Sequence, residues 1–159
     1  MLGTVYSNLL QLRYYILWII LVAFDQVTKW YFELTVGFYN KIVIIPERLI
    51  FELVHNYGAA YGILQNQKFF LLTVSGAVVI GGLIFAKKII QSQYSCIGLM
   101  FLLAGALGNF LDRAILGYVI DFINIRIFPV FNLADVFINI GVALFVIEMM
   151  VSEKNKTNV

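Results

Sequence analysis

Charge is what this sequence has least of. Only 13% of its 159 residues are Asp, Glu, Lys or Arg, against about 25% in a typical soluble domain. Hydrophobic residues make up 62%, and mean hydropathy is +0.90. A chain with so few polar groups belongs in lipid. The net charge of +2 is too small to suggest nucleic acid as a partner, and none is expected. The single cysteine, Cys96, excludes an intramolecular disulfide. The single histidine, His55, is too little for a zinc centre, which usually takes three or four protein ligands, and is expected at the surface or interface. Walker and dinucleotide glycine patterns are missing. Ser75 and Ser95 have no histidine in reach, which argues against a Ser–His nucleophile. The first apolar run lacks a small-residue cleavage site, so a retained span is expected rather than a signal peptide.

What is abundant is long apolar sequence. Roughly 20 residues at helical rise cross the hydrocarbon core. Residues 14–34, 69–86, 94–111 and 132–151 supply four such spans within one integral membrane domain, residues 1–159. The predicted fold class is an all-α membrane protein with four transmembrane helices. Trp30 and Tyr31 look like an interfacial aromatic belt. Residues 37–67 are too polar to span; residues 41–45 and 49–54 are strand candidates separated by Pro46 and Glu47. Open strand edges cannot face lipid, so this piece is expected outside the bilayer. Residues 117–129 form a second non-spanning piece. Four spans place both termini on one side, with the compact Lys87-Lys88 turn, and that side is expected to be cytoplasmic.

Against this background the polar residues between Ala104 and Asp135 stand out. Ionisable groups at the ends of apolar spans are costly and mark function by default. Asp121 and Asp135 fall at the same predicted depth. Two carboxylates held close cannot both ionise comfortably, so one keeps a proton and the pair supplies an acid and a base together. A plainer reading makes Asp135 a helix cap and Asp121 a turn residue. Asn109 neighbours Asp112 and Arg113 on one helical face, as a supporting shell or as an ion pair ending the helix. Asp25 and Lys29, four apart, can pair to hold the first helix in the bundle. Asn56 sits in a turn rich in small residues. Asn132, three residues before Asp135, is an N-cap in type and position. Glu148, near the far end of the fourth helix, is expected to reach water. A proton relay or transporter would spread acids over several depths; here the span middles are clean.

The order DQVTK (25–29), HNYGAAYG (55–62), AGALGNFLDR (104–113), VIDF (119–122) and FNLAD (131–135) resembles the bacterial lipoprotein signal peptidases, or signal peptidase II, over nearly the whole chain. The resemblance implies an intramembrane aspartic endopeptidase of the bacterial cytoplasmic (inner) membrane. It implies removal of signal peptides from prolipoproteins, just before a cysteine carrying diacylglyceryl. It maps the catalytic aspartates onto Asp121 and Asp135, and supporting residues onto Asp25, Asn56, Asn109, Asp112, Arg113 and Asn132. It implies an extracytoplasmic β-cradle and a short helical segment, matching residues 37–67 and 117–129. It also implies no metal or cofactor, inhibition by globomycin-type cyclic peptides, contact with membrane lipids, and a monomer. One departure is Val136-Phe137 after Asp135, where many members carry smaller, often hydroxylated residues; it is expected to bear on the pocket wall.

Overall fold

The structure, a computed structural model, describes residues 2–37, 40–59 and 63–157. Ala60, Tyr61 and Gly62 of the HNYGAAYG stretch lie outside the described residues, as do the last two residues of the polar tail. Among the described residues, five helices and three strands follow in the order α1 (Leu2–Thr35), β1 (Lys41–Ile45), β2 (Leu49–Asn56), α2 (Lys68–Ile84), α3 (Ala86–Ile89), α4 (Gln93–Ile115), β3 (Val119–Asn124) and α5 (Leu133–Thr157).

Helices stand at all four predicted places. Among the described residues, α4 and Leu133–Lys154 of α5 are long and apolar enough to cross a bilayer. Helix α2 has 17 residues and a length of about 25 Å. Helix α1 begins at Leu2, well before the expected start at residue 14. Residues 2–13 contain no proline and only one glycine, so nothing in them stops the helix. The turn around Lys87 and Lys88 is itself a short helix, α3. Helix α4 starts at a Ser92 cap, whose side chain accepts from the Ser95 N–H while Ser95 returns a bond to the Ser92 N–H. Glu148 is half-buried and accepts a hydrogen bond from Ser92, closing the same end of the bundle.

Small residues let α4 and α5 pack closely. A Cβ on Gly141 would lie 2.8 Å from the Gly98 carbonyl oxygen and 2.8 Å from the Leu102 nitrogen. A Cβ on Gly105 would run into the Ala134 carbonyl oxygen. Around these contacts the apolar core forms from Leu21, Ala104 and Phe137, continued by Leu99, Met100 and Leu103.

The three strands make one antiparallel sheet in the order β1-β2-β3. Strands β1 and β2 fall where the two strand candidates flank Pro46-Glu47, with a positive φ of 60° at Glu47. The second non-spanning piece departs only from the helical segment that the resemblance implies. Residues 119–124, where Val119-Ile120 reads as extended, are the third strand, with Val54 opposite Asp121 and Asn56 opposite Val119. The run Val119-Ile120-Asp121-Phe122-Ile123 is rich in residues that favour strands. No helix occurs among the described residues between α4 and α5. Gly117, at φ +91°, ends α4 and turns the chain into β3, a conformation that a side chain would strain. The sheet is tied to α1 by Phe32, whose ring stacks on Phe122 at 4.2 Å and tilts against Phe51 at 5.1 Å.

Candidate active site

Strand β3 and the first turn of α5 deliver Asp121 and Asp135 to one cavity of about 820 Å³, shared with Asn56, Asn109 and Arg113. The rest of the wall is mainly apolar and includes Ile125, Phe128, Val130, Phe131, Val136 and Ile140. Residues 26 and 14 positions apart in sequence or more are thus gathered by the sheet and by the α4–α5 contact.

Two asparagines bridge the acids. Asn132 Nδ2 donates to Asp121 Oδ1 at 2.6 Å and to Asn109 Oδ1 at 3.1 Å. Asn109 Nδ2 donates to Asp135 Oδ1 at 2.9 Å. Asn56 Nδ2 reaches the other oxygen of Asp121 at 2.9 Å. Asn56 is itself oriented by its turn, because its Oδ1 accepts the Gly58 N–H at 2.9 Å. Arg113 holds that turn from α4, donating to the Gly58 carbonyl at 3.0 Å. Asn132 and Asp135 also cap α5 reciprocally: the Asp135 N–H donates to Asn132 Oδ1 at 3.0 Å, and the Asn132 N–H to Asp135 Oδ2 at 3.2 Å. The capping reading of Asp135 and the cavity placement therefore hold at once, since its two oxygens serve different partners.

Asp121 is 2% exposed. Burial, followed by the nearby charge of Asp135, pushes its pKa up to about 7, against the opposing hydrogen bonds from Asn56 and Asn132. Near neutral pH it can hold a proton.

Behind the acids lies a buried charge cluster. Lys29, 1% exposed, contacts Asp25 at 2.9 Å and Asp112 at 3.0 Å and donates to Asn109 Oδ1 at 3.1 Å. Asp25 Oδ1 accepts the Ala134 N–H at 2.8 Å, and Asp112 Oδ2 accepts the Ile120 N–H at 3.1 Å. Each of these carboxylates thus fixes the backbone next to one of the cavity aspartates. Gly108 makes room for it: a Cβ there would run into the Asp25 carboxylate. Asp25 and Asp112 do not line the cavity; they support it from behind. Lys29 and Gln26, which bonds Asp112 at 2.9 Å, escape a sequence reading of the site. The signal for Lys29 was its spacing from Asp25 in an apolar helix, which announces the pair but not the third and fourth partners.

His55 is half-buried. Its Nε2 lies 2.9 Å from Glu33 Oε2, and its ring stacks on Tyr118 at 3.8 Å. Val136 lines the cavity, whereas Phe137 turns into the core beside Leu21 and Ala104. Only the first half of the Val136-Phe137 departure bears on the pocket wall. No group of three or more His, Cys, Asp or Glu suited to a metal ion occurs among the described residues.

Apolar helices, a small sheet and an acid-bearing cavity are together the features of a membrane enzyme. A family model described as signal peptidase (SPase) II matches residues 17–151. The chain is 35% identical to a lipoprotein signal peptidase of Brevibacillus brevis, over 89% of this chain and 97% of that one. It is 34% identical to the lipoprotein signal peptidase of Bacillus subtilis, over 90% and 96%. A solved bacterial membrane enzyme superposes with a TM-score of 0.85 at 35% identity, over 91% of each chain. The chain belongs to the signal peptidase II family and is a peptidase.

Proposed function

We propose that this chain is an intramembrane aspartic endopeptidase that removes the signal peptide from diacylglyceryl-modified prolipoproteins, cutting just before the lipid-modified cysteine. The observation that carries the reading is the pair Asp121 and Asp135 on one apolar cavity, bridged by Asn109 and Asn132. Helices α1, α2, α4 and α5 are the four spans of a single domain. The termini are cytoplasmic, and the sheet and cavity sit near the outer face of the bacterial cytoplasmic membrane. The enzyme acts as a monomer among membrane lipids and is blocked by globomycin-type peptides.

The division of labour follows from burial. Asp135, the less buried of the two, takes a proton from water as the water oxygen attacks the scissile carbonyl carbon. Asp121 gives its proton to the carbonyl oxygen, forming a neutral tetrahedral diol. Asp135 then protonates the departing amine as the C–N bond breaks, and Asp121 recovers its proton from the diol. Asn109 and Asn132 hold the two carboxyls in register, and the apolar wall limits access of bulk water.

The deciding experiment is incubation of the purified protein with a diacylglyceryl-modified prolipoprotein and with its unmodified counterpart. Cleavage of the first alone, blocked by a globomycin-type peptide, is the expected result. Equal cleavage of both, or of neither, contradicts the proposal.

A pH profile tests the roles. Activity falls as pH rises through about 7, where Asp121 loses the proton it has to donate. The Asn56 hydrogen bond favours the ionised form, so its removal raises the pKa further. Asn56→Leu is therefore expected to move the alkaline limb of kcat to higher pH. An unmoved limb, or one moved down, removes Asp121 from the acid role.

A further inference from the structure

One polar side chain in the cavity is used by nothing above. Asn139 lies on α5 one turn beyond Asp135 and lines the same cavity, beside Val136, Ile140 and Ala143. Its Nδ2 donates to the Asp135 carbonyl at 2.8 Å. That is its one hydrogen bond among the described residues, and it leaves Oδ1 and the second amide hydrogen without a partner. An amide exposed in an apolar span is costly unless something arrives to pair with it.

We propose that Asn139 is a specificity-determining residue, pairing with the substrate backbone about two residues before the scissile bond. This rests on the reading of the cavity as a signal-peptide protease site. A helical substrate satisfies its own backbone groups, but the stretch entering the acids has to be extended for its carbonyl to be attacked. Where the signal helix unwinds, a peptide N–H and C=O lose their partners inside the membrane. A free carboxamide offers one acceptor and one donor, the complement of that unit. The placement follows from geometry. Asn139 is four residues along the helix from Asp135, about 6 Å deeper. An extended chain advances about 3.3 Å per residue, which makes two residues. The deeper side is the upstream side, because the signal helix fills the membrane before the cleavage point.

The same contact explains what the position discriminates. It reads whether the substrate can open its helix at that point, independently of side-chain identity. Substrates with strong helix formers just upstream of the cysteine lose the contact, and those with glycine or β-branched residues keep it.

The test is an ester scan. Diacylglyceryl-cysteine substrates are made with each of the three peptide bonds upstream of the scissile bond replaced in turn by an ester, which deletes one N–H. The wild-type enzyme is expected to lose about tenfold in kcat/KM at one of these positions, the size of one hydrogen bond in a dry site. Asn139→Leu, an apolar change in an apolar span, is expected to cleave the all-amide substrate about tenfold more slowly and to be blind to that ester. Asn139→Ser, which keeps a donor and an acceptor, is expected to retain part of the sensitivity. If Asn139→Leu keeps the wild-type ratio of amide to ester cleavage, the assignment to Asn139 fails while the protease reading stands. If the wild type cleaves none of the substrates, both fail together.

Discussion

Asp121→Asn and Asp135→Asn are each expected to lower cleavage by at least about a thousandfold, the upper part of the range for a positioned general acid or base, with the folded bundle retained. Asparagine keeps the shape of aspartate and removes the proton chemistry. The structural cost is small by comparison. An Asn at 121 presents one oxygen where Asn56 and Asn132 now meet two, so one hydrogen bond is lost, worth about 1 kcal/mol. At 135 the oxygen that caps Asn132 and the one that meets Asn109 are likewise reduced to one. Relief of repulsion between two carboxylates offsets part of that loss. A reading in which the acids only hold helices together predicts the reverse: unfolding temperature falls and activity follows it in proportion. Cleavage rate and thermal unfolding, measured on the same detergent-solubilised preparations, separate the two. Either variant turning over near the wild-type rate removes that residue from the catalytic pair.

The acids were legible in the sequence because the surrounding chemistry is so uniform. In an apolar run each charged residue is an exception that needs a reason, and the β-branched residues flanking Pro46 mark the first two strands. What stayed hidden was relational. Val119–Asn124 is six residues long, and its strand-favouring residues do not say that it pairs with Leu49–Asn56. That pairing is long-range, and it is what brings Asn56 to Asp121. His55 was invisible as a paired residue for the same reason: Glu33 and Tyr118 reach it from α1 and from the turn after α4. The start of α1 was missed because a helix ends where something breaks it, and residues 2–13 contain no strong breaker. Asn139 is a different case. It is plain in the sequence as an asparagine inside an apolar helix, but only the structure shows that, while bonded to its own backbone, it also lines the cavity.

Lys29→Met carries the largest expected effect on stability. Lys29 is buried with two carboxylates around one ammonium. Replacing it by a side chain of similar length keeps the volume and leaves Asp25 and Asp112 facing each other without a cation. Removing one partner of a buried ion pair typically costs about 3–5 kcal/mol, far more than the 0–1 kcal/mol or so of a surface pair. The damage is directed. Asp25 anchors the Ala134 N–H and Asp112 the Ile120 N–H, one residue away from Asp135 and Asp121 respectively. The Lys29 bond to Asn109 Oδ1 also keeps the Asn109 amide hydrogens turned toward Asp135. A strong fall in unfolding temperature and a loss of cleavage are therefore expected together. Lys41→Met provides the contrast. Lys41 pairs with Glu52 on the sheet, but its side chain is 53% exposed, so both stability and cleavage should stay near wild type. If Lys29→Met unfolds at the wild-type temperature, the cluster does not support the site, and the placement of both aspartates needs another cause.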